Sequence, residues 1–286
     1  MEHILLIDGK NTAYRALYAA RGNQEFQNAG QHPFVVWLRF AHVWYEKFKP
    51  AAIHVFWDCP KNDVWRKKIL NEYKDNRDGS PHYSDDVYQD MNRIINAAQA
   101  ILPCVNIRQY ERPGQECDDL IYSMCRILTP PRSDMRKVII ISSDSDFVQV
   151  QWSMPHVVVY EPRKGVFVDT PEVNPVITKA LAGDESDNVD GYRGIGPVKS
   201  KQLADNLGKL VEFLDVTGDQ KFKRNMALID MSLNPMRLNN ELYLIRAMQQ
   251  PICFDKTAIQ DAINKYKILG LMADYTRLML PFKNLQ

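Results

Sequence analysis

The chain has 286 residues, 45% of them hydrophobic and 25% charged, with 36 Lys and Arg set against 35 Asp and Glu for a formal net charge of +1. Those proportions belong to an ordinary soluble globular protein, give no global basic signal, and leave room for one large α/β domain or a large domain with a smaller one appended. The five cysteines form no C-x-x-C pair and have no His at zinc spacing, so they read as reduced thiols.

In chain order, the short β-branched runs "HILLID" (3–8), "AIHVFWD" (52–58), "CVNIR" (104–108), "KVIIISSD" (137–144) and "HVVVYE" (156–161) predict strands buried on both faces of a parallel sheet. Helical patterns fall between them at 11–22, 33–48, 84–102 and 116–128. Alternating strand and helix predicts a mostly parallel central sheet flanked by helices. After about residue 170 strands are expected to stop. "TPEVNPVITKALAG" runs to a stop at Gly183, and "IGPVKSKQLADNLG" reads as one helix from Pro197 to Gly208. The expected organisation is an α/β core over 1–170 and a helical region over 171–286. No signal peptide or membrane-length apolar run is present, so an intracellular, cytoplasmic chain is expected.

Charge is segregated along this frame. Residues 61–77, "KNDVWRKKILNEYKDNR", carry six Lys or Arg against three acids, whereas "GDESDNVD" (183–190) is acidic. Strand candidates finish on Asp8, Asp58 and Asp144, the last followed by Asp146. In a parallel sheet the carboxyl ends of strands converge on one crevice. "GQECDDLIY" adds Glu116, Asp118 and Asp119 at a helix start, and "GDESDN" adds Asp184 and Asp187. An Asp after a strand is often only the cap of the next helix, and any one of these alone favours that reading. Together they call for cations: oxygen-rich sites without His or Cys suit Mg²⁺ or Mn²⁺, and nine carboxylates are too many for one ion.

The ordered set "LLIDG", "FWDC", "GQECDD", "SSDSDF" and "GDESDNVDGYRGIG" resembles the 5′-nuclease and flap endonuclease family, which includes bacteriophage replication nucleases and the 5′-nuclease domain of bacterial DNA polymerase I. The resemblance spans roughly residues 1–210. It implies a PIN-like core with a helical arch around 61–95 and a helix-hairpin-helix at about 183–208. In the arch Lys74 and Arg77 would contact the scissile phosphate and act in catalysis, Tyr73 would stack on an unpaired base, and Arg66 would help bind nucleic acid. "DGSPHYSDD" would order on substrate. At the hairpin Gly194 and Gly196 would allow close backbone approach to the duplex, a K⁺ ion could bridge to phosphate, and Lys199 and Lys201 would add charge.

The expected activity is structure-specific hydrolysis of phosphodiesters at 5′ ends and flaps of duplex DNA, as 5′-3′ exonuclease and flap endonuclease, by two Mg²⁺ ions that Mn²⁺ can replace. Asp8, Asp58, Glu116, Asp118, Asp119 and Asp144 would build the first metal site. Asp146, Asp184 and Asp187 would lean to the second, with Asp144 or Asp119 shared. Expected partners are flap, nicked or primed DNA, with RNA–DNA hybrids left open, and the chain is expected to be a monomer encoded by a phage or bacterium. Two rivals are a non-catalytic junction-binding protein that keeps the fold and a PIN-like ribonuclease.

Overall fold

The structure, a computed structural model, describes residues 2–60, 63–77, 84–130, 136–268 and 270–285. The chain order is β1 (Glu2–Asp8), α1 (Gly9–Arg21), α2 (Gln24–Asn28), α3 (Phe34–Phe48), β2 (Ala52–Phe56), α4 (Asp85–Ile101), β3 (Arg108–Tyr110), α5 (Cys117–Leu128), β4 (Arg136–Ile141), α6 (Val148–Ser153) and β5 (Val157–Glu161). A short β6 (Val166–Phe167) precedes α7 (Pro175–Ala182), β7 (Gly183–Asp184), β8 (Val189–Asp190), α8 (Pro197–Ala204), α9 (Leu207–Thr217) and α10 (Gln220–Ile229). The chain closes with α11 (Arg237–Met248), α12 (Lys256–Tyr266) and α13 (Leu271–Leu278).

The main sheet has the order β3-β2-β1-β4-β5-β6, parallel throughout except for the antiparallel edge strand β6. β1 is central: Leu5 pairs in register with Ile53 on one side and Ile139 on the other. Its side chains alternate between two cores, as the period of two in a strand requires. Leu5 and Ile7 join α1, α3, α4, α12 and α13 on one face, and Ile4 and Leu6 join α5, α6 and α11 on the other. Leu5, Leu6 and Ile7 are wholly buried, and each contributes about 1.5–3 kcal/mol of apolar burial. The chain turns first toward β2 and β3, then crosses back to β4, so strand order reverses between β1 and β4. The crevice for a ligand opens at that reversal.

The sequence expectation differs from the structure in three places. "CVNIR" is not a strand: a 3-10 turn occupies Leu102–Cys104 and Asn106 sits at φ 60°, so the third strand starts only at Arg108. Strands do not stop at residue 170, because β7 and β8 pair antiparallel and carry the acidic run of 183–190 on a small hairpin. Gly191 lies against the end of α7 so closely that a Cβ there would stand 2.1 Å from the Ala182 carbonyl oxygen. The helix begun at Pro197 ends at Ala204, since the Asn206 side chain accepts from the Lys209 N–H and caps a new helix, α9. The region after residue 170 is otherwise helical, and α11 to α13 fold back to complete the two cores.

Candidate metal centre and nucleic-acid interface

Asp8 ends β1 and caps α1, accepting from the Asn11 N–H at 2.9 Å and from the Ser142 hydroxyl at 2.9 Å. Burial, then the charges of Asp58 and Asp144, pushes its carboxyl up to about 7. Asp118, in the first turn of α5, is driven well above the usual carboxylate range by burial and then by Asp144. Oxygens of Asp8 and Asp118 and the Cys117 sulfur, whose S–H donates to Asp118 at 3.2 Å, lie within 4.8 Å of one another. Asp58 follows β2. It accepts from the Cys117 N–H at 2.9 Å and pairs with Lys10 at 3.2 Å, which against the effect of burial holds it below its ordinary range.

A second group joins Asp146, Asp184 and Asp187, again within 4.8 Å. Asp146 follows β4, while Asp184 and Asp187 come from the β7–β8 hairpin. Lys179 of α7 bridges two of them, pairing with Asp146 and, at 2.6 Å, with Asp184. Burial raises Asp146 in spite of that lysine, whereas the lysine outweighs burial at Asp184 and lowers it. Asp144 lies between the groups electrostatically, since its charge raises Asp8 and Asp118 in the first and Asp146 in the second. One concavity is lined by Asp118 together with Asp146, Asp184 and Asp187, so the groups share a single pocket.

Residues 72–76 are laced to the acidic hairpin. The Lys74 N–H donates to the Asp187 carbonyl at 3.0 Å, the Asn188 amide donates to the Glu72 carbonyl at 2.8 Å, and the Tyr73 hydroxyl donates to the Asp187 carboxylate at 2.8 Å. Lys74 holds φ 61°, a conformation bulky residues rarely adopt, and these bonds over-determine it. Its ammonium thereby reaches between the groups, 2.5 Å from Glu116 and 3.5 Å from Asp187. Lys74, then Arg66, outweighs burial and keeps Glu116 below its ordinary value.

Three expectations are revised by these contacts. Asp119 is not placed to ligate a metal: one oxygen accepts from Arg66 at 2.9 Å, and the other from Arg66 at 2.9 Å, the Trp65 indole at 3.0 Å and the Glu116 N–H at 3.2 Å. Arg66 is buried at 3% exposure, its guanidinium paired with Glu116 and Asp119 and donating to the Leu228 carbonyl, although it lines the same concavity as Asp118 and Asp187. Tyr73 is buried at 3% with its hydroxyl spent on Asp187, and offers no free ring face for a base. Within this basic run Trp65 and Tyr73 are buried and Leu70 packs beside Tyr73, which folds the segment inward.

Two further lysines were missed by sequence reasoning, Lys10 two residues past Asp8 and Lys179 one helical turn before Gly183. The signal available was spacing alone. The side chain of Arg77 and the "DGSPHY" part of the expected mobile segment, residues 78–83, lie outside the described residues. Gly194 (φ 77°), Gly196, which precedes α8, and the exposed Lys199 and Lys201 sit together at the turn between the acidic hairpin and α8, well separated in sequence from Lys74. Among the described residues all five cysteines are free thiols, and no helix is long and apolar enough to cross a membrane.

Residues 3–178 match the family described as "5'-3' exonuclease, N-terminal resolvase-like domain". The chain is 27% identical over 307 residues to a 5'-3' exonuclease of Mycoplasma pneumoniae, covering 97% of this chain and 100% of that protein. It is also 27% identical over 290 residues to DNA polymerase I of Rhizobium leguminosarum, covering 95% of this chain but only 27% of the polymerase. The fold is shared with the bacteriophage T5 flap endonuclease, solved as a pseudo-enzyme–product complex with DNA and metal ions, at a TM-score of 0.64 and 18% identity over 93% of this chain and 100% of that one.

Proposed function

Because the chain belongs to the 5′-3′ exonuclease family, we propose that it is a structure-specific 5′-nuclease that hydrolyses phosphodiesters at the 5′ ends and flaps of duplex DNA with two divalent ions. The observation that carries this reading is the pair of acid groups at the carboxyl ends of β1 and β4 and on the β7–β8 hairpin, with the Lys74 ammonium reaching between them.

The donor sets fit metal. Asp8 and Asp118 are held together although burial and the neighbouring charges of Asp144 and Asp58 push both toward protonation, and a dication relieves that repulsion. Carboxylate oxygens favour Mg²⁺, with Mn²⁺ as a substitute. Asp8, Asp58, Glu116 and Asp118 would hold one ion, Asp146, Asp184 and Asp187 the other, and Asp144 would serve both. Such a pair, when bound, supplies an activated water and stabilises the leaving oxygen. The carboxylates orient the ions, and Lys74, with Arg77, offsets charge on the attacked phosphate. No covalent intermediate on the protein is required.

Binding of the duplex rests on the second part of the site. Gly194 has no atom within 4 Å of a built Cβ, so its backbone is open to close approach. No side chain caps the start of α8, whose N–H groups are available to phosphate, with Lys199 and Lys201 exposed on the same helix. In this reading residues 183–208 hold the helix-hairpin-helix, K⁺ bridges its turn to phosphate, the arch spans about 61–95 within an α/β core of 1–170, and 171–286 form the helical region. A monomer working in the cytoplasm on flap, nicked or primed DNA, RNA-primed hybrids included, completes the proposal.

The test is cleavage of 5′-labelled flap, nicked and RNA-primed duplexes with Mg²⁺. Short flap-length products would establish endonucleolytic action and mononucleotides stepwise action. Intact substrate at saturating protein would leave the junction-binding rival standing.

A further inference from the structure

Lys179 stands where the second metal ion would stand. Its ammonium bridges Asp146 and Asp184, two of the three carboxylates whose oxygens lie within 4.8 Å of one another in the second group. The lysine comes from the last turn of α7, immediately before the hairpin that carries Asp184 and Asp187, so one continuous segment delivers both the carboxylates and their counter-charge. In the first group Lys10 pairs with Asp58 at 3.2 Å and Lys74 with Glu116 at 2.5 Å, but no salt bridge among the described residues reaches Asp8 or Asp118, so that pair of oxygens has no lysine to displace.

We propose that Lys179 is a built-in counter-ion that the second metal must displace, so that the two ions bind in order, the Asp8–Asp118 group first. This rests on the reading of Asp146, Asp184 and Asp187 as a metal group. The physical basis is competition for the same atoms. A lysine ammonium takes a carboxylate oxygen at 2.6 Å here, and Mg²⁺ requires its oxygens at about 2.0–2.1 Å; both cannot hold the same pair of oxygens. Displacement needs no backbone change, because Lys179 remains 24% exposed and ends a flexible four-carbon stem that can swing to water. In the metal-free protein the lysine keeps the second group assembled against its own repulsion. The apparent affinity for the second ion is then the intrinsic affinity reduced by the fraction of molecules in which the lysine has left.

The test counts bound Mn²⁺ by electron paramagnetic resonance in the full chain and in Lys179→Met, which keeps the apolar stem and removes the charge. Two ions are expected in the wild type, the second weaker. In the variant the second should tighten by roughly tenfold while the first is unchanged, and Lys179→Arg should restore the weak second site. Independently of how the variant folds, ¹³Cε-lysine spectra of the wild type titrated with Ca²⁺ should show the Lys179 signal moving with the second equivalent and not the first. Equal second-site affinity in wild type and Lys179→Met, or a Lys179 signal indifferent to Ca²⁺, overturns the proposal. Failure of both proteins to bind any second ion overturns it together with the reading of the second group, and so separates the two failures.

Discussion

Arg66 and Asp119 face one another through two bonds of 2.9 Å, with their side chains 4% and 0% exposed. A buried bidentate pair of this kind is structural: breaking it leaves one charge without a partner in a medium that solvates it poorly. Asp119→Ala should therefore cost about 3–5 kcal/mol of folding stability, seen as a lower urea midpoint without metal. A variant as stable as wild type would mean that Asp119 is free to turn toward the ions.

Tyr73 makes a related prediction. Its hydroxyl donates to Asp187 in a buried setting, so Tyr73→Phe should cost about 1–3 kcal/mol and weaken the lacing of residues 72–76 to the acidic hairpin. Thermal melts check the cost. Loss of preference for substrates with an unpaired 5′ nucleotide in Tyr73→Ala, with that preference kept in Tyr73→Phe because its ring remains, would restore the stacking role.

Lys199 is exposed on α8. If it meets phosphate, Lys199→Ala should weaken duplex binding and lower the slope of log K against log salt by about 0.9. Titrations across a salt series in Ca²⁺ measure this, and an unchanged slope would place the lysine in solvent during binding.

His54 sets a pH dependence of the fold. It is buried on β2 beside the Tyr110 hydroxyl at 2.9 Å, and burial, then Arg108, lowers its pKa to about 3. Unfolded, it titrates near 6.5, so between those values the unfolded chain binds a proton that the folded chain does not. Its contribution is fully present above pH 6.5 and is lost as pH falls, by about 1.4 kcal/mol per unit. Urea unfolding at pH 7 and pH 5.5 should differ by roughly that much more in the wild type than in His54→Gln; equal differences would mean that the imidazole is protonated in place.

Much of this was legible before the structure. Continuous apolar runs gave β1, β2, β4 and β5 because strands buried on both faces have no polar alternation to hide them. The strand-end aspartates were legible for the same reason: carboxylates next to such runs have no apolar role. What stayed hidden depends on partners distant in sequence. Arg66, Tyr73 and Lys179 belong to charged or amphipathic stretches whose inward turn is decided by Asp119, Asp187 and Asp146, between 33 and 114 residues away. The β7–β8 hairpin escaped because strands of two residues leave no periodicity.

Lys74→Ala separates a catalytic cation from an adhesive one. With its ammonium between Glu116 and Asp187, its loss should slow single-turnover cleavage by orders of magnitude at nearly unchanged Kd. A fall in affinity with an intact rate at saturation would make the segment an electrostatic guide only.

Metal-carried hydrolysis is tested most directly at Asp144, whose charge is felt by both acid groups. The measurement is single-turnover cleavage of a 5′-flap duplex in Mg²⁺ by Asp144→Asn, paired with its Kd for the same duplex in Ca²⁺. The predicted result is cleavage abolished with binding essentially retained, since the substitution removes a ligand and no phosphate contact. Near wild-type turnover in Asp144→Asn would contradict it.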